Sequence, residues 1–292
     1  METSQISEKF SHLVMNHPCL GRAPHRGRLH LPVSPACNIK CRFCTRSFNR
    51  RENRPGVTRS VLPVAEAMEV VAQAIQLCPE ISVVGIAGPG DSLATDHALD
   101  CFRRLREEYP DLIGCLSTNG LSLPQQARAI AAAGVHSVTV TVNAVDPAIQ
   151  AQIIDWIALD GRRLSGAAAA AVLIDSQLTG IRLLSELNIL VKINCVLIPS
   201  LNGAHIGEIA RVTAAAGAAI INIIPLIPQG DFADWPAPDC DDLQQARSAA
   251  ERFLPVFRHC RHCRADACGL LGRDVSAELY RDVSAENTFS HG

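Results

Sequence analysis

The chain has 292 residues, of which 48% are hydrophobic but only 4% aromatic, and a net charge of −2. That length suits two ordinary domains or one α/β barrel, and the aliphatic, alanine-rich composition suits a soluble α/β protein. The charge argues against nucleic acid as the main partner. No apolar run is expected to reach the roughly 20 residues of a membrane span, and METSQISEKFSHL lacks the regions of a secretory signal, so a reducing cytoplasm is the expected compartment.

From about residue 29 onward, short β-branched runs alternate with alanine-rich amphipathic stretches, the pattern of a parallel sheet with helical crossovers. In chain order the pattern predicts a strand over 29–33, a helix over 64–76, a strand over 82–86 and a helix over 97–108. A strand over 113–117, a helix over 124–133, a strand over 137–142 and helices over 147–157 and 167–187 come next. A strand over 190–197, a helix over 206–216 and a strand over 219–224 complete six units. Pro63, Pro124 and Pro147 mark helix starts, Gly134 and Gly217 mark stops, and Asp146 caps a helix.

The fold class is therefore α/β, a partial (βα)6 TIM-like barrel over 29–230, with an N-terminal extension at 1–28 and a C-terminal one at 231–292. Functional groups are expected at the carboxyl ends of the strands. Those ends carry a cysteine run, then Gly88-Pro89-Gly90-Asp91, then Ser117-Thr118-Asn119-Gly120, then Asn143. Asn194, inside the apolar run VKINCVLI, is expected to face the barrel interior, and Lys192 shares its strand parity. Beyond Asp231 the chain offers a Pro- and Asp-rich loop, one helix over 242–253, a Cys/His/Arg segment and a polar tail.

Twelve cysteines require an explanation in a reducing compartment. Cys78, Cys101, Cys195 and Cys240 stand singly and read as small buried hydrophobes. Cys37, Cys41 and Cys44 form a C-x3-C-x2-C run, and Cys260 and Cys263 a C-x2-C pair, both among Arg and His where thiolate is favoured. Cys19, Cys115 and Cys268 are ambiguous on spacing alone.

Three thiolates on a [4Fe–4S] cluster leave one iron open for a substrate or cofactor. A zinc site needs a fourth ligand, and borrowing the C-terminal pair gives five cysteines for four places. Chance is the third reading, disfavoured by the βα context.

CxxxCxxC after the first strand of such a barrel resembles the radical S-adenosylmethionine (SAM) superfamily. The resemblance implies that Cys37, Cys41 and Cys44 hold a [4Fe–4S] cluster whose open iron chelates SAM, and that the protein aligns the cofactor and excludes water. It also implies that Phe43 sits beside the adenine and that the Gly88 to Asp91 loop binds the methionine amino group. Ser117, Asn119 and Asn143 suit hydrogen bonds to the SAM carboxylate or ribose, or else satisfy their own turns, and the buried Asn194 amide needs partners that a cofactor could supply.

Further segments extend the likeness: HPC at 17–19, RLHLPVSPACNIKCRFC, RPGV at 54–57, VVGIAGPGD, CLSTNGL, TVNAVDP, VKINCVLIP and RHCRHCRADACGLLGRD. Together, from about residue 16 to residue 274, they resemble the NifB family, which makes the precursor of the nitrogenase cofactor, without the NifX-like domain that many members carry. The resemblance implies one or two additional [4Fe–4S] substrate clusters, fused with a SAM-derived carbide into an eight-iron core. His30, Cys260 and Cys263 would hold one, and Cys19 and Cys115 the other, Cys115 being the methyl-accepting site or its neighbour. Glu52 matches an acidic residue of the family, which reads either as a proton-transfer group or as a solvated loop charge. Implied partners are proteins that donate Fe–S clusters, donate electrons or accept the cofactor.

The family usually carries a further cysteine where this chain has Asn49 and Arg50, neither of which replaces a thiolate on iron. The second substrate cluster then keeps only two evident protein ligands or borrows a third, such as Cys268, His25 or an exogenous sulfide. A divergent relative acting on another metallocofactor, and a non-enzymatic cluster carrier, are the competing readings. Arg258, Arg261 and Arg264 are placed to neutralise a cluster beside His259 and His262, with Asp266 ordering them through bidentate pairs.

Overall fold

The computed structural model describes residue 6, residues 8–21 and residues 23–281. The polar tail from 282 and the first five residues of the amino-terminal reading lie outside the described residues. Six parallel strands form the central sheet: β1 (Gly27–His30), β2 (Ile81–Ile86), β3 (Ile113–Thr118), β4 (Val135–Thr141), β5 (Leu190–Leu197) and β6 (Ile220–Pro225). They pair in sequence order, each with the next. The crossovers carry helices α1 (Val64–Leu77), α2 (His97–Glu108), α3 (Leu123–Ala132), α4 (Pro147–Ile153), α5 (Gly166–Glu186) and α6 (Ile206–Ala215). Their apolar faces bury one aliphatic core outside the sheet, as Ala67, Met68, Val71 and Ala74 do on α1.

Expected boundaries hold within one to three residues, with two corrections. The stretch expected to continue α4 to residue 157 leaves the helix at Ile153 and becomes a hairpin, Ile154–Leu159 against Arg162–Ser165. Asp160 and Gly161 both take positive φ (50° and 74°) at its tip, the backbone of a tight hairpin turn, for which Asp-Gly is a preferred pair. Gly166–Glu186, at 21 residues and a mean hydropathy of 1.3, is long and apolar enough by length and composition to cross a membrane, contrary to the expectation. Half of its window is buried, and core helices share that composition.

The C-terminal extension closes the sheet edge. After α7 (Cys240–Ala250), β7 (Cys268–Leu270) pairs antiparallel with β1 in the register Leu29↔Cys268, and β8 (Arg273–Asp274) follows. His30 N–H donates to the Ala267 carbonyl at 2.8 Å, which brings the segment carrying Cys260 and Cys263 over the first strand. From the other end, Leu13 and Leu20 pack with Val83, Ile113, Leu190, Ile220 and Phe257 near the amino ends of the strands.

Candidate active site

The barrel interior is a cavity of about 350 Å³, within the range of small-molecule sites. Alternate residues line it: Val83 and Gly85 on β2, Cys115 and Ser117 on β3, Thr139 and Thr141 on β4, Lys192 and Asn194 on β5, and Asn222 and Ile224 on β6. Strand parity alone dictates this choice. The cavity wall also takes residues from both extensions, so it is built by the whole chain.

At its upper end lies the cysteine run. Ile39–Cys41 pairs antiparallel with the α4–α5 hairpin, Ile39 opposite Ile157 and Cys41 opposite Ile154. Below it, Gly90 N–H and Asp91 N–H donate to the Ser34 and Ala36 carbonyls, each at 2.8 Å. The Gly88 to Asp91 loop thus docks the chain that leads into Cys37. Pro89, Gly90 and Asp91 line the cavity, whereas Gly88 does not. The Asp91 carboxylate is already used by protein donors: Leu93 N–H (2.9 Å), the Thr118 hydroxyl (3.0 Å) and Asn119 N–H (2.5 Å). It staples β2 to β3.

Phe43 lines the cavity and packs against Ala144, Ile153, Ile198, Leu226 and Phe232. Asn119 donates from Nδ2 to Asn38 Oδ1 at 2.6 Å and lies 3.9 Å from Cys37 Sγ. Asn143 Oδ1 accepts from Val196 N–H at 2.9 Å, and Asn194 Oδ1 accepts from Asn222 Nδ2 at 3.1 Å. The oxygens of these two amides are held by protein donors while the side chains line the cavity.

Among the described residues no three His, Cys, Asp or Glu side chains converge tightly enough for a single metal ion, which removes geometric support from the zinc reading. A [4Fe–4S] cluster takes one thiolate per iron and needs ligands spread apart around a cavity. Burial pushes the Cys37 thiol up to about 11 against the opposing charge of Arg46, and burial likewise raises Cys41, helped by Cys44 and Cys37. Such thiols ionise when a positive centre binds, with release of their protons. The donor set fits the cluster.

Deeper in the barrel, Cys19, Cys115 and Cys260 pack against the same apolar floor as Phe257 and Leu20. Cys263 Sγ accepts from Arg28 Nη2 at 3.3 Å, and the same guanidinium reaches Asp274 at 3.1 Å. His30 is neutral, its pKa pushed down to about 4 by burial and by the charge of Arg28. Its Nδ1 lies 3.0 Å from the Arg264 carbonyl, so Nδ1 carries the proton and Nε2 keeps its lone pair. Metal-binding histidines are oriented this way. Gly85 makes room for the ring: a Cβ there would lie 3.0 Å from His30 Cδ2.

Several expected residues stand elsewhere. Glu52 is exposed, outside the cavity, and its carboxylate is taken by Arg54, Asn49 and Ser47. Burial raises its pKa slightly, but those donors outweigh burial and hold it below the ordinary carboxylate value, the wrong direction for a proton donor near neutrality. Asn49 closes that loop, accepting from Arg51 N–H and Glu52 N–H, and does not line the cavity. Cys268 is buried in β7 and His25 is exposed, so neither reaches it. Cys240 is exposed rather than buried, because it opens α7 on the surface.

Arg264 turns away from the cavity to Asp266, in a bidentate pair at 2.7 and 3.0 Å. Arg258 pairs with Glu251, leaving Arg261 with His259 and His262 on the cavity wall. Arg28 and His17 were missed by sequence reasoning, although Arg28 shares strand parity with His30 and His17 stands two residues before Cys19.

A family model described as the Radical SAM superfamily matches residues 31–213. Among solved structures, methylornithine synthase (PylB) superposes with a TM-score of 0.54 at 11% identity, over 80% of this chain and 65% of that one. SuiB from Streptococcus suis, bound to S-adenosylmethionine, gives 0.52 at 14% identity, over 77% and 44%. These two show the fold alone. The FeMo cofactor biosynthesis protein NifB of Methanocaldococcus infernus is 41% identical over 95% of this chain and 93% of its own length. Its namesake from Methanocaldococcus jannaschii is 40% identical over 97% and 95%. The NifB of Klebsiella pneumoniae is 45% identical over 90% of this chain but only 58% of its own longer one. A cavity that gathers the CxxxCxxC run, His30 and the distant cysteines on a radical SAM barrel thus meets full-length relatives, and the chain is a radical SAM enzyme that belongs to the NifB family.

Proposed function

We propose that the enzyme serves FeMo cofactor biosynthesis by fusing two [4Fe–4S] substrate clusters around a carbide drawn from a SAM methyl group. The observation that carries this reading is the single cavity shared by Cys37, Cys41 and Cys44 above with His30, Cys260, Cys263, Cys19 and Cys115 below. When bound, the upper cluster and SAM supply methyl transfer and a 5′-deoxyadenosyl radical that abstracts hydrogen. Cys37, Cys41 and Cys44 hold that cluster, and Phe43 with the amides of Asn119, Asn143 and Asn194 orients SAM. His30 Nε2, Cys260 and Cys263 hold one substrate cluster, and Cys19 and Cys115 the second, with Cys115 at or next to the methyl-accepting sulfide. Glu52 acts on protons only if its loop moves over the cavity mouth. Cluster-donor, electron-donor and cofactor-acceptor proteins are the partners this role requires.

The placement of Asn49 outside the cavity favours a second reading, a divergent enzyme that builds a different metallocofactor from the same barrel. A passive cluster carrier has no use for the amides around the upper site. Anaerobic reconstitution with iron, sulfide, reductant and SAM separates them. The proposal expects both S-adenosylhomocysteine, from methyl transfer, and 5′-deoxyadenosine, from hydrogen abstraction. Release of 5′-deoxyadenosine alone rules out carbide chemistry, and release of neither favours the carrier.

A further inference from the structure

His17 is buried to 2% exposure on the cavity wall beside Cys19. Its Nδ1 accepts the Cys19 backbone N–H at 3.1 Å, so the lone pair is on Nδ1 and the ring proton on Nε2. That buried Nε2–H has no hydrogen-bond partner, which is costly unless a ligand supplies an acceptor. Lys192 is 5% exposed on the same wall. Its ammonium donates to the Cys19 carbonyl at 2.8 Å and lies 4.1 Å from the centroid of the Phe257 ring. Among the described residues no carboxylate pairs with it. A buried ammonium of this kind calls for an anion.

Two independent observations, an orphan N–H and an unpaired cation, therefore meet beside Cys19, and the charge of Lys192 also acts on the neighbouring Cys115 thiol. We propose that His17 and Lys192 form the donor wall for an anionic iron–sulfur group at Cys19 and Cys115, His17 Nε2–H donating to one of its sulfurs and Lys192 offsetting its charge. The inference rests on the proposed function's second cluster site. It accounts for a site with two protein thiolates rather than three, since the wall stabilises an exogenous sulfur ligand, such as sulfide, in the remaining place. It also excludes His17 as the missing iron ligand. Ligation through Nε2 would move the proton to Nδ1, where it would face the Cys19 N–H, donor against donor.

The test uses the full chain reconstituted anaerobically with iron and sulfide, followed by iron counting and EPR-monitored redox titration. Cys19→Ser identifies the site by the loss of about four irons and one reduced-cluster signal. His17→Phe is expected to keep that iron but shift the same signal to a more negative midpoint potential, because the reduced, more anionic cluster loses a donor. His17→Gln, which retains an N–H near the same place, is expected to restore it, and Lys192→Met to shift it in the direction of His17→Phe. Retained signal from the Cys37, Cys41 and Cys44 cluster checks folding in every variant. The inference is overturned if His17→Phe and Lys192→Met both leave the potential unchanged, or if His17→Phe removes the same irons as Cys19→Ser and His17→Gln does not restore them. If Cys19→Ser removes no iron, the second cluster site itself fails and this inference with it.

Discussion

Asp266→Ala is expected to destabilise the folded chain by about 3–5 kcal/mol, the cost of leaving buried cations without their counter-charge. The Asp266 side chain is 1% exposed and meets two guanidinium groups, each 8% exposed. Arg264 binds it through two nitrogens, and Arg59 through both its side chain (2.8 Å) and its backbone N–H (2.8 Å). Arg264 then reaches the carbonyls of Glu52 and Asn49. One carboxylate thus ties the C-terminal segment to the loop that follows the cysteine run. Burial opposes its ionisation, but the hydrogen bonds from Arg264 and the charges of Arg264 and Arg59 outweigh burial and hold its pKa below the ordinary carboxylate value. A depressed folded-state pKa contributes stability that is complete above the unfolded value of about 3.9 and lost as pH falls through the folded one. Urea denaturation should therefore show the full wild type to Asp266→Asn difference at neutral pH and a shrinking one under acid. A difference that does not change with pH would show that the charge is not what stabilises.

Gly90→Ala is expected to abolish 5′-deoxyadenosine formation and SAM-cluster iron while leaving the core folded. A Cβ at Gly90 would lie 2.0 Å from the Ala36 carbonyl oxygen and 2.8 Å from that of Ser34, both backbone atoms with no room to yield. The Gly90 and Asp91 hydrogen bonds that hold the approach to Cys37 would break, and Cys37 would leave its place opposite Asn119. Iron analysis and turnover of the purified variant check this. Wild-type iron content and activity would show that the loop does not position the cysteines.

Much of the fold was legible because its periodicities are local. The βα alternation, the proline and glycine punctuation and the Asp146 cap, whose Oδ1 accepts from Ala148 N–H at 2.7 Å, each follow from a few neighbouring residues. The α4–α5 hairpin was missed although Asp160-Gly161 signalled it, because the preceding residues also suit a helix. At the site, the cysteine spacing singled out three thiols that the structure places together on the cavity wall. The strand-end rule pointed to the upper cavity but not to its floor, where Cys115 and Lys192 are each the third residue of their strands. The roles of Arg28 and His17 depend on contacts between chain segments as far apart as Arg28 and Cys263 or Cys19 and Lys192, for which one sequence offers no periodic signal. The Glu52 carboxylate, by contrast, is held by its own neighbours Ser47, Asn49 and Arg54. Asp91 reads as a cofactor ligand by its motif and as a strand staple by its hydrogen bonds.

The central claim is that one barrel cavity holds substrate clusters beneath a SAM cluster. Iron counting with Mössbauer spectroscopy on reconstituted Cys37→Ala/Cys41→Ala/Cys44→Ala protein tests it most directly. The account predicts about eight irons per chain, two substrate clusters retained without the SAM site; a chain left with no iron would confine the metal to Cys37, Cys41 and Cys44 and contradict it.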